Sequence, residues 1–174
     1  MRKLNHKNLE LTIADTGRVK KKNRKLDQFM KASLEVFFDF LKSRELLIGN
    51  KQAVELGLTF CGTQKIKKLN CDYRSKEKAT DVLSFPLYDS LRKGAKGPFF
   101  TPSMHLGDIF ICKEVAKKQA REFDLPYEAE IAHLLVHGFL HLLGFDHEVS
   151  MEEEKIMNRH ESRLVKKIYE KVGI

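Results

Sequence analysis

PYEAEIAHLLVHGFLHLLGFDH, residues 126 to 147, decides how this chain must be built. Pro126 stands where a helix can begin, because the N–H that proline lacks is not needed there. Beyond it Ile131, Leu134, Leu135, Val136, Phe139, Leu140, Leu142 and Leu143 cover nearly the whole circumference of a helix. A helix apolar on all sides has to be buried. Gly144 is its natural stop, since glycine accepts the positive φ of a helix C-terminus. The rest of the chain must therefore wrap this helix in packed layers.

Those layers are legible on both sides of it. The N-terminal MRKLNHKNLELTIAD alternates like a strand, most clearly over residues 8–14, where Leu9, Leu11 and Ile13 share one side. A basic connection, RVKKKNRKLD (residues 18–27), leads into a helix from Leu26 to about Leu47, with Phe29, Met30, Leu34, Phe37, Phe38 and Leu41 on one broad apolar face. Residues 53–60, AVELGLTF, form a second strand, TQKIKKLNCDYR a short basic helix, and TDVLSFP (80–86) a third strand stopped by Pro86. A long connection from Tyr88 to His105 precedes a fourth strand, LGDIFI (106–111). KEVAKKQAREF is a helix, and a last helix runs from Met151 to about Lys171 with Ile156, Leu164 and Ile168 toward the core. Four strands and about five helices, with no repeat and no internal boundary, predict a single α/β (α+β) domain over residues 1–174.

Composition narrows the function. At 174 residues, 42% apolar and 32% charged, the chain has the balance of a soluble globular domain. No apolar run reaches the ~18 residues of a membrane span, and the N-terminus has no apolar signal segment. Three cysteines, Cys61, Cys71 and Cys112, lack a C-x-x-C pair. They read as small buried hydrophobes in a reducing, cytoplasmic setting. The net charge of +8 is uneven: residues 1–80 hold 19 Lys or Arg against 9 Asp or Glu. That asymmetry favours a polyanion docking on the N-terminal half.

Histidines interrupt the apolar helix at ligand spacing. His137 and His141 are four residues apart, which stacks them on one helix face. Past Gly144 the chain can turn back and deliver His147. Burying three imidazoles among leucines without partners is costly, so a metal ion is the better reading than three capping histidines. Three neutral nitrogens suit zinc and leave a fourth position open, the mark of a catalytic site. The frame H-x-x-x-H-x-x-G-x-x-H is that of the metzincin peptidases with Gly138 where they carry a glutamate base. His133 lies too far along the helix to share the ion and is expected to support or pack. Asp146 either orients a histidine or caps the turn.

His137 to His147 resembles the signature of the YbeY family, bacterial ribosomal RNA maturation factors and single-strand-specific endoribonucleases. YRSKEKATDVLSFP (Tyr73 to Pro86) and LGDIFI resemble two further elements of that family, in the same order. The resemblance implies a small mixed sheet, here of four strands, and one zinc ion per chain on His137, His141 and His147. It implies that Arg74 is catalytic and RNA-binding, with Asp81 and Ser84 helping to position substrate. It implies ribosomal RNA as partner, in single-stranded regions, with ribosomal proteins or the small subunit nearby and no membrane. Phe145 departs from the family pattern, in which tyrosine is frequent. Rival readings are a non-catalytic ribosome assembly factor and a zinc hydrolase of non-nucleic substrates. Gly138 disfavours the latter, since peptide hydrolysis needs a base beside the metal. Phosphodiester cleavage chiefly needs its spreading negative charge held.

Overall fold

Alternating apolar residues build the sheet. The computed structural model describes residues 1–17, 23–46, 53–92 and 102–174. Its strands are β1 (Arg2–His6), β2 (Leu9–Asp15), β3 (Ala53–Cys61), β4 (Val82–Pro86) and β5 (Ser103–Cys112). They form one sheet in the order β1-β2-β3-β5-β4. The three central strands are parallel, and the edge strands β1 and β4 run antiparallel to their neighbours. The mixed sheet thus has five strands among the described residues rather than four. The additional one, β1, presents Arg2 and Lys3 at an exposed edge and turns Leu4 and the polar His6 ring toward the core, so its apolar signal is weak.

The helices are α1 (Arg24–Ser43), α2 (Thr63–Arg74), α3 (Lys113–Glu122), α4 (Tyr127–Leu142) and α5 (Met151–Val172). Val54, Leu56, Leu58 and Phe60 of β3 join Met104, Leu106, Ile109 and Ile111 of β5 in the main core. Helices α1, α4 and α5 close over that face, and Phe37 of α1 stacks on Phe139 of α4 at 3.9 Å. On the opposite face only Cys61, Ile66, Leu83 and Cys112 make a small cluster beneath α2. The expected burial of α4 is met: Ile131, Leu135, Val136, Phe139 and Leu140 are all inaccessible to solvent.

Further expectations are corrected. Ile156 is 40% exposed, and Met157 takes the core position, because the inward face of α5 runs through Met157, Leu164 and Ile168. Cys71 is exposed on the outer side of α2, unlike Cys61 and Cys112. The fourth strand begins at Ser103, three residues before the apolar run, so the connection from Tyr88 is shorter than expected. The first helix spans Arg24–Ser43 rather than Leu26 to about Leu47, because Arg44 caps it and Glu45 turns to φ 61°. Residues 93–101 of the connection after Tyr88 and residues 18–22 of the basic connection lie outside the described residues.

One irregularity keeps β5 in phase. Gly107, at φ +135°, sits in a bulge where the β3–β5 register shifts. A side chain there would collide with the Phe85 carbonyl oxygen. The extra residue lets Ile109 and Ile111 return to the face that receives α4.

Candidate metal centre

One turn of α4 brings the Nε2 atoms of His137 and His141 to 3.2 Å from each other. The helix then ends in a paired C-terminal closure: the Gly144 N–H donates to the His141 carbonyl and the Phe145 N–H to the Leu140 carbonyl. Gly144 takes φ +84°, and a Cβ on it would lie 2.8 Å from the Asp89 carbonyl oxygen. The segment that crosses here is itself anchored. The Leu91 N–H donates to the Leu143 carbonyl, and Arg92 donates to the Gly144 carbonyl and pairs with Glu153. Asp146 caps the following turn by accepting from the Glu148 N–H at 2.9 Å.

This turn returns His147 to the helix, so that one nitrogen from each of His137, His141 and His147 lies within 4.8 Å of the others. Nitrogens ~2.0–2.1 Å from a tetrahedral zinc ion stand ~3.3 Å apart, so the His137–His141 pair already has coordinating separation. Burial, helped by His137 and His147, pushes the His141 imidazole down to about 4. It is therefore neutral near pH 7, the form that binds metal. The donor set fits a metal ion.

Glu161, reaching in from α5, fixes the geometry behind the cluster. Its Oε1 lies 3.3 Å from His137 Nδ1 and 2.8 Å from His133 Nε2. Burial opposes its charge, yet the two histidines outweigh burial and bring its carboxyl down to about 2. His133 is pushed up to about 10 by the carboxylates beside it, Glu130 first and then Glu161. His133 thus supports the cluster through Glu161, as its position on the helix suggested. An acceptor on Nδ1 holds the His137 ring with Nε2 directed at the cluster. Glu161→Gln is expected to weaken metal binding by about 10–100-fold without unfolding the chain. Competition against a chromogenic chelator measures this, and an unchanged affinity would remove Glu161 from the site.

Arg74 ends α2, where Ser75 takes a left-handed cap conformation at φ 54°. Its Nη2 lies 2.7 Å from both carboxylate oxygens of Glu148. Glu148 directly follows His147, so this ion pair ties the end of α2 to the turn that carries the third histidine. The Glu148 carboxyl is held below the usual range, first by its hydrogen bond from Arg74.

A family model described as endoribonuclease YbeY matches residues 8–169. The chain belongs to the YbeY family. It is 41% identical over 140 residues to an endoribonuclease YbeY of Agrobacterium fabrum, covering 80% of this chain and 79% of that one. It is 38% identical over 143 residues to the Sinorhizobium medicae protein of the same name, covering 82% and 81%. Among solved structures, the solution structure of a Thermotoga maritima protein matches with a TM-score of 0.57 at 26% identity, covering 91% of this chain and 89% of that one.

Within this YbeY fold the glycine of the motif has a packing role. A Cβ on Gly138 would lie 2.8 Å from Ile109 Cγ2, so α4 lies directly on β5 at this point. The position faces the sheet. Ser84 pairs in register with Ile109 and lies on the strand face shared with Val82, toward α4. Asp81 has both carboxylate oxygens engaged, by Thr80, the Val82 N–H and Gln119. Burial raises its pKa, but these hydrogen bonds prevail and lower it. Asp81 thereby ties the start of β4 to α3. Phe145 is buried beneath the guanidinium groups of Arg44 and Arg92. Sequence reasoning named neither Glu161 nor Glu148. A signal for Glu161 existed, an acid on the inward face of α5 between Met157 and Leu164. Glu148 carried none.

Proposed function

We propose that this chain is a zinc-dependent endoribonuclease that processes ribosomal RNA at the 3′ end of 16S rRNA and serves ribosome biogenesis and quality control. The observation that carries the reading is the convergence of three imidazoles, with Arg74 paired to the residue that follows the third of them. We assign His137, His141 and His147 as ligands of a single zinc ion and Arg74 as the catalytic, RNA-binding cation. The partner is single-stranded ribosomal RNA, approached in the cytoplasm on the small subunit or its proteins. Residues 1–174 act as one such domain. Among the described residues no helix is long and apolar enough to cross a membrane.

A zinc ion bound to these imidazoles supplies a Lewis acid and lowers the pKa of its water to ~7. The protein residues do the rest. Arg74 exchanges Glu148 for a phosphate, which it grips through parallel N–H groups. The exchange is cheap, because an exposed ion pair contributes only ~0–1 kcal/mol. On this reading Ser84, on the strand face toward α4, donates a hydrogen bond to substrate. Asp81 acts by fixing the strand that carries Ser84. The basic N-terminal half adds phosphate contacts that weaken steeply with salt.

The test is cleavage of a ribosomal precursor RNA by purified protein, before and after chelation, beside Arg74→Ala and Arg74→Lys. Arg74→Ala is expected to lower kcat/KM about 10²–10³-fold with metal content unchanged. Lysine should recover only part, since it lacks the planar fork. Full activity in Arg74→Ala would overturn the assignment. A wild type that binds the precursor and cuts nothing would favour an assembly factor.

A further inference from the structure

A row of aromatic rings leads away from Arg74 on the lightly covered face of the sheet. Tyr73, at the end of α2, is 69% exposed. It does not hang free, since its ring meets Phe85 of β4 edge-on, with centroids 4.9 Å apart at 72°. Phe85 meets Phe110 of β5 at 5.5 Å and 88°. The Lys65 ammonium lies 5.7 Å from the Phe110 ring centre. A large exposed ring, held by Phe85, which Phe110 braces in turn, is oriented before any ligand arrives.

The surroundings select the occupant. Lys65, Lys67, Lys68, Arg74, Lys76 and Lys78 cluster on and after α2, against Asp72 and Glu77. The neighbouring Asp108 leans the other way, over Gly57, where a Cβ would collide with its carboxylate. The acid is thus drawn toward β3 and away from Phe85, which leaves a cation-flanked aromatic track along α2 and β4. Rings beside cations that can follow a backbone are the makings of a single-strand site, because every base has a π-face.

We propose that Tyr73, backed by Phe85, is a stacking site for an unpaired nucleobase next to the phosphate that Arg74 holds. The inference rests on the reading of RNA as substrate. Tyr73 and Arg74 are consecutive, so one nucleotide can present its phosphate to the guanidinium while an adjacent base lies on the ring. Base-paired RNA offers no free base face there, so the site selects single strands by shape, with little preference among the four bases.

The experiment uses the full chain with metal chelated, so that nothing is cut. A short single-stranded RNA carries 2-aminopurine walked along its length. Stacking on Tyr73 should quench the probe at one position, and Tyr73→Ala should abolish that quenching and weaken binding about 5–100-fold. Tyr73→Phe keeps the ring and should bind like wild type. Against an RNA made abasic at the quenched position, wild type and Tyr73→Ala should bind equally. Arg74→Ala should instead reduce the salt slope by about 1 for either RNA. Equal binding of the intact RNA by wild type and Tyr73→Ala would overturn the site. So would a wild type with no affinity for single strands, and the exposed ring would then suit a protein partner. Cleavage after zinc is restored reports separately on the nuclease reading. Quenching without cleavage would sink that reading and uphold the stacking site, and cleavage without quenching would do the reverse.

Discussion

His141→Ala is expected to give a folded protein that retains no stoichiometric metal and cleaves RNA at least about 10³-fold more slowly, the loss of several kcal/mol of charge stabilisation. The side chain is partly buried, with the His137 and His147 rings 4.8 and 5.3 Å from its own. Its removal leaves two imidazoles, too few for a tight site. The helix does not suffer, because alanine is the best helix former and the lost ring was a partly buried polar group. Metal-free wild type and variant should therefore melt together, while added zinc raises only the wild-type melting temperature. Metal analysis, thermal melts and cleavage of one RNA check the three parts. Equal cleavage by both proteins would place the chemistry elsewhere.

Gly138→Glu restores the letter that metal-dependent peptidases carry, and it is expected to destabilise the protein strongly rather than create a peptidase. The new Cβ would sit 2.8 Å from Ile109 Cγ2 and 3.0 Å from Cδ1, in a side chain branched at Cβ and held within the sheet. Overpacking of this kind costs ~1–3 kcal/mol, and a carboxylate buried against a strand adds several more. Against a total stability of ~5–15 kcal/mol, the sum is a large fraction. The melting temperature should fall by about 10 °C or more. Gly138→Ala separates the causes. Helix propensity favours alanine by ~1 kcal/mol, the clash opposes it, and a net loss of up to about 2 kcal/mol is expected. A glutamate variant as stable as wild type would refute this packing role.

How much was legible follows from what each signal measures. Periodicity reports burial, so β2, β3, α2 and α4 were readable nearly to the residue. It failed where the apolar signal is slight, at β1, which turns Leu4 and the His6 ring toward the core, and at the start of β5, where Ser103 and His105 are polar. It erred by one position at Ile156, since two adjacent apolar residues left the inward one undecided. Three histidines at fixed spacing announced the metal cluster because helix geometry and one turn suffice to converge them. The support from Glu161 and the Arg74–Glu148 contact depend on packing between distant elements, which periodicity does not encode. Gly138 was read as a missing base, and only the position of β5 reveals what the absent side chain makes room for.

An anion arriving at Arg74 meets a guanidinium already engaged. Glu148 is tethered to the same fold, so its carboxylate competes at the high effective concentration of an intramolecular group. A lone phosphate, or the freshly cut end of a strand, has few other contacts with which to win that contest. An uncut strand, anchored at several phosphates, has many. With Arg74 as the proposed phosphate-binding cation, the pairing at the end of α2 is a weak internal competitor, which a polymer anchored at several phosphates displaces more readily than a short product does.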